Sequence, residues 1–463
     1  MLHKREGFQS KLHCCTLEEL MPKKHFLRDI DTLIDFSFVY DKVSHLYSAF
    51  GRPSIDPVII VKMLLVGYLY GIDSERRLES EIQVNIAYRW FLGIDLDEPV
   101  PDHSTFSQLR RRKFNDSRLF EDIFDEIVRK CIETGLVDGS LLLTDSTHVK
   151  ANVADNLLET ITVNRGPTAY MKKLDELALE QGLIEDIGPS KEITVEVAQS
   201  ITDPDSGMLG RPGKPGGFHY LSHQTVDGHS GIITDVYVTP GNTADNVPHT
   251  ERLKYQIQKF GFQTKEIGAD GGYDSTEVHA EMLLMGIKTY IPHVGRREPY
   301  DGSAPFSMVD FIYDAAKDVY VCPNNRELHY KGFQKGKRTK RYKSVVKHCR
   351  DCPCRSQCIS GKTPIKDLSR PLHQAEFEKQ NENNDTPRYH EIMRLRRIWC
   401  EGTFAAQKFN HCLSRARMRG IVQVSEQCLL SACALNLKRL ANWMKRHESL
   451  CLNNPKSFLL SLA

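Results

Sequence analysis

Residues 139–154 read GSLLLTDSTHVKANVA. The apolar run Leu141–Leu143 follows a glycine-serine pair and leads directly into Thr144 and Asp145. Short continuous apolar runs of this kind form strands buried on both faces. The stretch therefore predicts a buried strand with a polar tip, carrying Asp145 at its end. A second stretch repeats the pattern: KEIGADGGYD, residues 265–274, predicts a short strand that delivers Asp270 ahead of Gly271 and Gly272.

Between them, FHYLSHQTVDGHSGIITDVYVTPGN (218–242) predicts a hairpin around DGHSG, and ADNVPHTERLKYQIQKFG (244–261) a helix. HAEMLLMGI and KTYIPHV continue with a helix and a strand, while DPDSGMLGRPGKPGG is too rich in glycine and proline for regular structure. This order sets both aspartates at neighbouring strand ends of one mixed sheet, where ligands gather. Adjacent carboxylates repel unless a proton or cation lies between them, and oxygen donors suit a hard cation, Mg²⁺ above all. Taken singly, each aspartate is more simply a cap for the segment that follows. His148, Asp245 and Asp274 also lie near these strands and are assigned orienting or capping roles.

A third carboxylate, Glu401, is the single acidic residue in RRIWCEGTFAAQKFNHCLSRARMRG, Arg396–Gly420. Alone it reads as a surface i,i+4 partner of Arg397, an arrangement of small energetic weight. On an α-helix, Arg394, Arg397 and Lys408 fall at offsets of −7, −4 and +7 from Glu401 and share its face. One carboxylate among three cations suits a metal ligand beside a phosphate-binding strip.

The first 135 residues predict helices. DPVIIVKMLLVGYLYG begins with Asp56 as cap and Pro57 at the first helical position. SERRLESEIQVNIAYRWFLG reads as one helix ending near Gly93, and PDHSTFSQLRRRKF as another, capped by Asp102 or Ser104, with Arg110, Arg111 and Arg112 in its later turns. SRLFEDIFDEIVRKCIETG is a fourth, amphipathic one. Short helices with a basic end suit a helix-turn-helix-like DNA reader or a plain helical bundle.

At 463 residues, with 40% hydrophobic and 26% charged residues, the chain has the make-up of a soluble globular protein of two or three domains. It has no apolar run of membrane-spanning length and no apolar core of signal-peptide length near its start, so a cytoplasmic, nucleoid-associated protein is expected. The net charge of +2 hides two basic blocks: Cys322–Cys358 holds eleven Lys/Arg against two Asp/Glu, and Arg388–Arg419 eight against two. Basic blocks in an otherwise acidic chain point to a polyanionic partner. Thirteen cysteines without a secretory signal favour thiols or metal sites over disulfides. In HCRDCPCRSQC, with Cys322 upstream, the spacing nominates Cys322, Cys349, Cys352 and Cys358 as ligands of a structural Zn²⁺, with free thiols in an insert as the alternative.

These segments together resemble bacterial insertion-sequence transposases of the DDE type. TDSTHVKA matches the family's first aspartate motif, giving Asp145; GADGGYDS matches the second, giving Asp270. RRIWCEGTFAAQK matches the YREK-like signature through Arg397, Glu401 and Lys408, with Arg394 where many relatives carry tyrosine. The resemblance spans roughly residues 50–445 and includes VDGHSGIITDVYVTPGNTADN and PDHSTFSQLRRR.

The resemblance implies a mixed α+β or α/β chain with a helical N-terminal DNA-binding domain (1–135) and a ribonuclease H-like catalytic domain (136–295 and 386–446). A cysteine-rich basic insertion (296–385) and a tail (447–463) complete it. It implies catalysis by Asp145, Asp270 and Glu401 with Mg²⁺ or Mn²⁺, and DNA contacts from Arg394, Arg397, Lys408 and Arg110–Arg112. The expected partners are the terminal inverted repeats of an element and its target DNA, bound by a homodimer. A non-catalytic transposase-derived DNA-binding protein and a purely hydrolytic metal-dependent nuclease are the rival readings.

Overall fold

The apolar run Leu141–Leu143 is fully buried and starts a strand that runs on to Lys150. The computed structural model describes residues 14–453 except 49, 51–53, 115–116, 155, 167, 188–192, 211–215, 294–305 and 360–362. In chain order the strands are β1 (Leu141–Lys150), β2 (Leu158–Arg165), β3 (Ile193–Ser200), β4 (Gly207–Leu209), β5 (Gly217–Asp227), β6 (Ile233–Pro240), β7 (Glu266–Gly268) and β8 (Lys288–Tyr290). They continue with β9 (Ile312–Asp314), β10 (Val319–Val321), β11 (Glu327–Gln334), β12 (Thr339–Lys343) and β13 (Asp367–Pro371).

The main sheet is mixed. Its order is β6–β5–β1–β7–β8, with the short β4 sharing the β6 edge of β5. β5 is antiparallel to β1 and β6, whereas β1, β7 and β8 run parallel. The β5–β6 hairpin turns where expected, because the Asp227 carboxylate accepts the backbone N–H groups of His229 and Ser230, each at 3.1 Å. The helix Asn246–Phe260 then carries the chain to β7.

The N-terminal region is helical, with Asp56 capping Pro57–Leu69 and Asp102 capping His103–Leu109. The single helix expected before Gly93 is broken in two. Asn85 is extended (φ −99°, ψ 109°) and its side chain accepts from the N–H groups of Ala87 and Tyr88, so it caps a new helix, Ile86–Leu92. Asparagine is among the best N-caps, and its local bond outcompetes helix continuation.

The long helix Ile421–Asn453 lies on β6 and also packs against the helices Pro57–Leu69 and Leu119–Glu133. One hydrophobic core consequently runs from Leu27 through Val66 and Ile127 into Leu143, Tyr220, Val236 and Leu437. The expected boundary near residue 135 is thus a change of secondary structure within a shared core. The C-terminal helix also reaches past residue 447; the expected tail beyond Asn453 lies outside the described residues.

Two segments depart from the main sheet. β2 and β3 pair with each other, with the helix Ala169–Glu180 between them, and the glycine-rich stretch expected to be irregular supplies the three-residue β4; its residues 211–215 lie outside the described ones. The cysteine-rich segment forms its own antiparallel sheet, β13–β12–β11–β10–β9, around Phe311, Tyr320, Leu328, Tyr342 and Leu368. The start of that insertion, residues 296–305, lies outside the described residues.

Candidate active site

Parallel pairing of β1 with β7 ends at Leu143 and Gly268. Asp145 and Asp270 each lie two residues beyond that last pair, so the register brings them to the same level, Asp145 on β1 and Asp270 just past the end of β7. Asp145 is not at the end of its strand as expected, because β5 continues to pair with β1 as far as Lys150; it stands where the parallel partner stops. Side chains two residues apart on a strand share a face. On the face of Leu143 and Gly268 lies the helix Pro387–Arg396: a methyl group on Gly268 would stand 2.5 Å from Ile392 Cγ2 and 2.9 Å from Leu143 Cδ2. The missing side chain lets the helix approach and carries the chain toward Glu401.

At Arg397 the helix changes pitch. Arg397–Glu401 is a π turn, after which Gly402–Asn410 resumes as α-helix. A π turn brings residues five apart into line, and the pair aligned with the carboxylates is Arg396 and Glu401. Arg396 Nη1 donates to Asp145 Oδ2 at 2.6 Å, and Nη2 lies 3.6 Å from Glu401 Oε1. Glu401 thus joins the Asp145 site through Arg396, a residue that α-helical spacing assigned no role. The π turn shifts the helical register, and the arginine that reaches Asp145 is Arg396. Arg394 and Arg397 are exposed, as is Glu401.

A fourth carboxylate completes the cluster. Ser146 Oγ donates to Asp245 Oδ1 at 2.6 Å, while the Ser146 N–H donates to Asp145 at 2.8 Å. Asp270 accepts from the Gly272 N–H at 2.9 Å. A Cβ on Gly272 would meet Asp270 Oδ1 at 3.0 Å and Asp245 Oδ2 at 3.2 Å, so two carboxylates close on this glycine. Burial pushes the Asp145 carboxyl up to about 6; Arg396 opposes the rise, and Asp270 and Asp245 add to it. Behind Asp245, burial lowers His223 to about 4. Asp245 was legible only as a residue near a motif strand, because its contact with Ser146 crosses 99 positions of sequence.

The remaining basic candidates divide. Lys408 is half-buried in the rim of a cavity of about 480 Å³ that also includes Asp73, Asn152, Arg415 and Arg417. Arg111 and Arg112 are exposed on a second π turn, Arg110–Phe114. Arg110 is not available to DNA: it is 7% exposed and pairs with Glu75 (3.0 Å) and Glu426 (3.3 Å), tying the helical region to the long C-terminal helix.

The chain matches the family described as "Transposase domain (DUF772)" over residues 15–112 and the "Transposase DDE domain" over residues 321–441. It is a transposase of the DDE type. The first match covers the N-terminal helices as far as Arg112, and the second covers the cysteine sheet from Val321 onward and Glu401. Asp145 and Asp270 lie outside both matched ranges and are joined to Glu401 by the fold. No curated protein matches the transposase. A solved structure similar to it is a piggyBac transposase synaptic complex with hairpin DNA, at 11% identity and a TM-score of 0.37, covering 91% of this chain and 76% of that one.

Transposases of this type depend on divalent metal. The donor set here fits a hard cation: it is all carboxylate, and Arg396 already supplies one positive charge among the acids. Among the described residues, the groups with three potential ligand atoms within 4.8 Å of one another are Glu79–Asp102–His103 and Asp138–Asp227–His229. The acidic cluster is wider than that. Both compact groups do local work instead: Asp102 caps a helix and Asp227 holds the hairpin turn.

In the cysteine sheet, burial raises the Cys358 thiol, and Cys349, Cys322 and Cys352 reinforce the rise. These sulfurs influence one another, but no three of them lie within 4.8 Å of one another. Cys349 Sγ donates to Ser344 Oγ at 3.1 Å, and Cys322 Sγ accepts from the Arg326 N–H at 3.3 Å. Among the described residues no helix is long and apolar enough to cross a membrane.

Proposed function

We propose that the transposase binds the terminal inverted repeats of its own element and cuts and joins DNA at the Asp145, Asp270 and Glu401 carboxylates. The observation that carries this reading is the level placement of Asp145 and Asp270, with Glu401 joined to Asp145 through Arg396. The three carboxylates hold Mg²⁺ or Mn²⁺, with Asp245 and Ser146 fixing the position of the first aspartate. Bound divalent cations activate the attacking oxygen and stabilise the leaving one. Water attacks the phosphodiester at the element end, freeing a 3′-hydroxyl and leaving the phosphate on the other fragment; that hydroxyl then attacks a target phosphodiester and expels a target 3′-hydroxyl. In this reading water and the freed 3′-hydroxyl are the nucleophiles, so the protein contributes by positioning and by charge, without a covalent intermediate.

Arg394 and Arg397 meet backbone phosphates beside the cut, and Lys408 extends that strip. Arg111 and Arg112 hold the end DNA at the helical region. The Cys322, Cys349, Cys352 and Cys358 quartet holds one Zn²⁺, which braces the basic sheet. Cutting two ends in concert calls for a homodimer on the DNA. The test is incubation of purified protein with a duplex carrying the element end, with Mg²⁺ and a target plasmid. Joined products are expected; cleavage without joining indicates a nuclease, and binding without either indicates a non-catalytic protein.

A further inference from the structure

We infer that Arg396 couples metal loading to DNA binding, an inference that rests on reading Asp145, Asp270 and Glu401 as the metal ligands. In the free protein the Arg396 guanidinium takes up the position of a counter-cation. It donates to Asp145 Oδ2 at 2.6 Å, approaches Glu401 Oε1 to 3.6 Å, and its side chain is only 17% exposed. Its Nε is buried with no hydrogen-bond partner among the described residues, so the group is held by the carboxylates alone.

A divalent cation coordinated by the same Asp145 oxygen comes within about 4 Å of the guanidinium, where like charges repel strongly in a partly buried site. Metal and Arg396 therefore compete for Asp145. Arginine has a second partner of matching shape, because its planar fork binds phosphate as readily as carboxylate. Glu401, which Arg396 approaches to 3.6 Å, is exposed, as are Arg394 and Arg397, so a DNA phosphate arriving at Glu401 can take the guanidinium over. DNA thereby clears the site for metal, and metal drives Arg396 toward DNA. The two affinities must rise by the same factor. The device keeps the acidic cluster neutralised and metal-poor until a strand is present.

The test titrates Mn²⁺ into the full chain with and without a saturating duplex of random sequence, since phosphate contacts do not depend on sequence. Binding is followed by the electron paramagnetic resonance signal of free Mn²⁺, corrected for uptake by the duplex alone. The duplex is expected to tighten Mn²⁺ binding to the wild-type protein about tenfold. Arg396→Gln is expected to bind Mn²⁺ about tenfold tighter than wild type without duplex, and to respond to the duplex by less than about twofold. Arg396→Lys keeps the cation, so its duplex-free affinity should stay near that of wild type. If Arg396→Gln binds no tighter without duplex, or keeps the full duplex response, while Asp145→Asn abolishes binding, the coupling role is wrong and the metal site survives. If Asp145→Asn leaves Mn²⁺ binding unchanged, the reading of the acidic cluster falls and the coupling with it.

Discussion

Asp145 on β1 and Asp270 just past the end of β7 each lie two residues beyond Leu143 and Gly268, the last paired residues of these adjacent parallel strands. The register of three residue pairs thus fixes two of the three catalytic candidates. The third depends on how closely the helix Pro387–Arg396 lies on those pairs.

Gly268 controls that approach, since a methyl group there meets Ile392 and Leu143 well inside van der Waals contact. Gly268→Ala is expected to lower stability by about 1–3 kcal/mol through overpacking. Because the displaced helix carries Arg396 and Glu401, DNA cleavage should fall further than the loss of folded protein explains. Urea unfolding and cleavage assays on the same preparation separate the two effects.

The buried Asp145 sets a pH dependence. Its carboxyl is raised from 3.8 to about 6 in the folded protein, so the folded state holds the proton where the unfolded state has lost it. The stability contribution is fully present below about pH 4 and is lost as pH rises through about 6, by up to about 3 kcal/mol. In metal-free protein, Asp145→Asn should therefore be more stable than wild type at pH 8, and the advantage should vanish by pH 4. Thermal melts in chelator across that range check it; an advantage that is independent of pH contradicts it.

Arg110 is expected to behave as a structural residue. Burial raises Glu426 to about 7 even though Arg110 opposes the rise. Arg110→Ala leaves this acid buried and unpaired, which should cost about 3–5 kcal/mol. Arg111→Ala and Arg112→Ala should leave the melting temperature unchanged and weaken DNA binding, with a shallower salt dependence. Melts and salt-series binding measurements distinguish the three.

For the cysteine sheet, metal analysis of purified protein is expected to return about one zinc per chain, as a four-cysteine site requires. Cys349→Ser and Cys358→Ser should each lose it, while Cys354→Ser retains it. Retention of zinc by Cys358→Ser would contradict the quartet.

Much of this was legible in the sequence. Apolar runs ending in Asp145 and Asp270, and the DGHSG turn, carry their signals within a few residues. What was not legible came from longer range or from local exceptions to regular geometry. Asn85 breaks a periodic helix by capping the next one. The π turn at Arg397–Glu401 changes which arginine faces the acids, and α-helical spacing therefore pointed to Arg397 instead of Arg396. Arg110 reads as a member of a basic cluster until its partners, Glu75 and Glu426, arrive from elsewhere in the chain. The β2–β3 pair hid in a polar stretch because it is paired only with itself, away from the main sheet.

The central claim is that three carboxylates from two strands and one helix form a single metal-dependent site. The most direct measurement is cleavage of end DNA by Asp145→Asn, Asp270→Asn and Glu401→Gln, each shown to be folded and to bind the duplex, across a Mn²⁺ series. Residues that act as a unit fail together, so each variant should lose about a thousandfold or more in rate, and the double variants should lose little further. Near wild-type cleavage by Glu401→Gln, with both aspartate variants inactive, would contradict the three-carboxylate site.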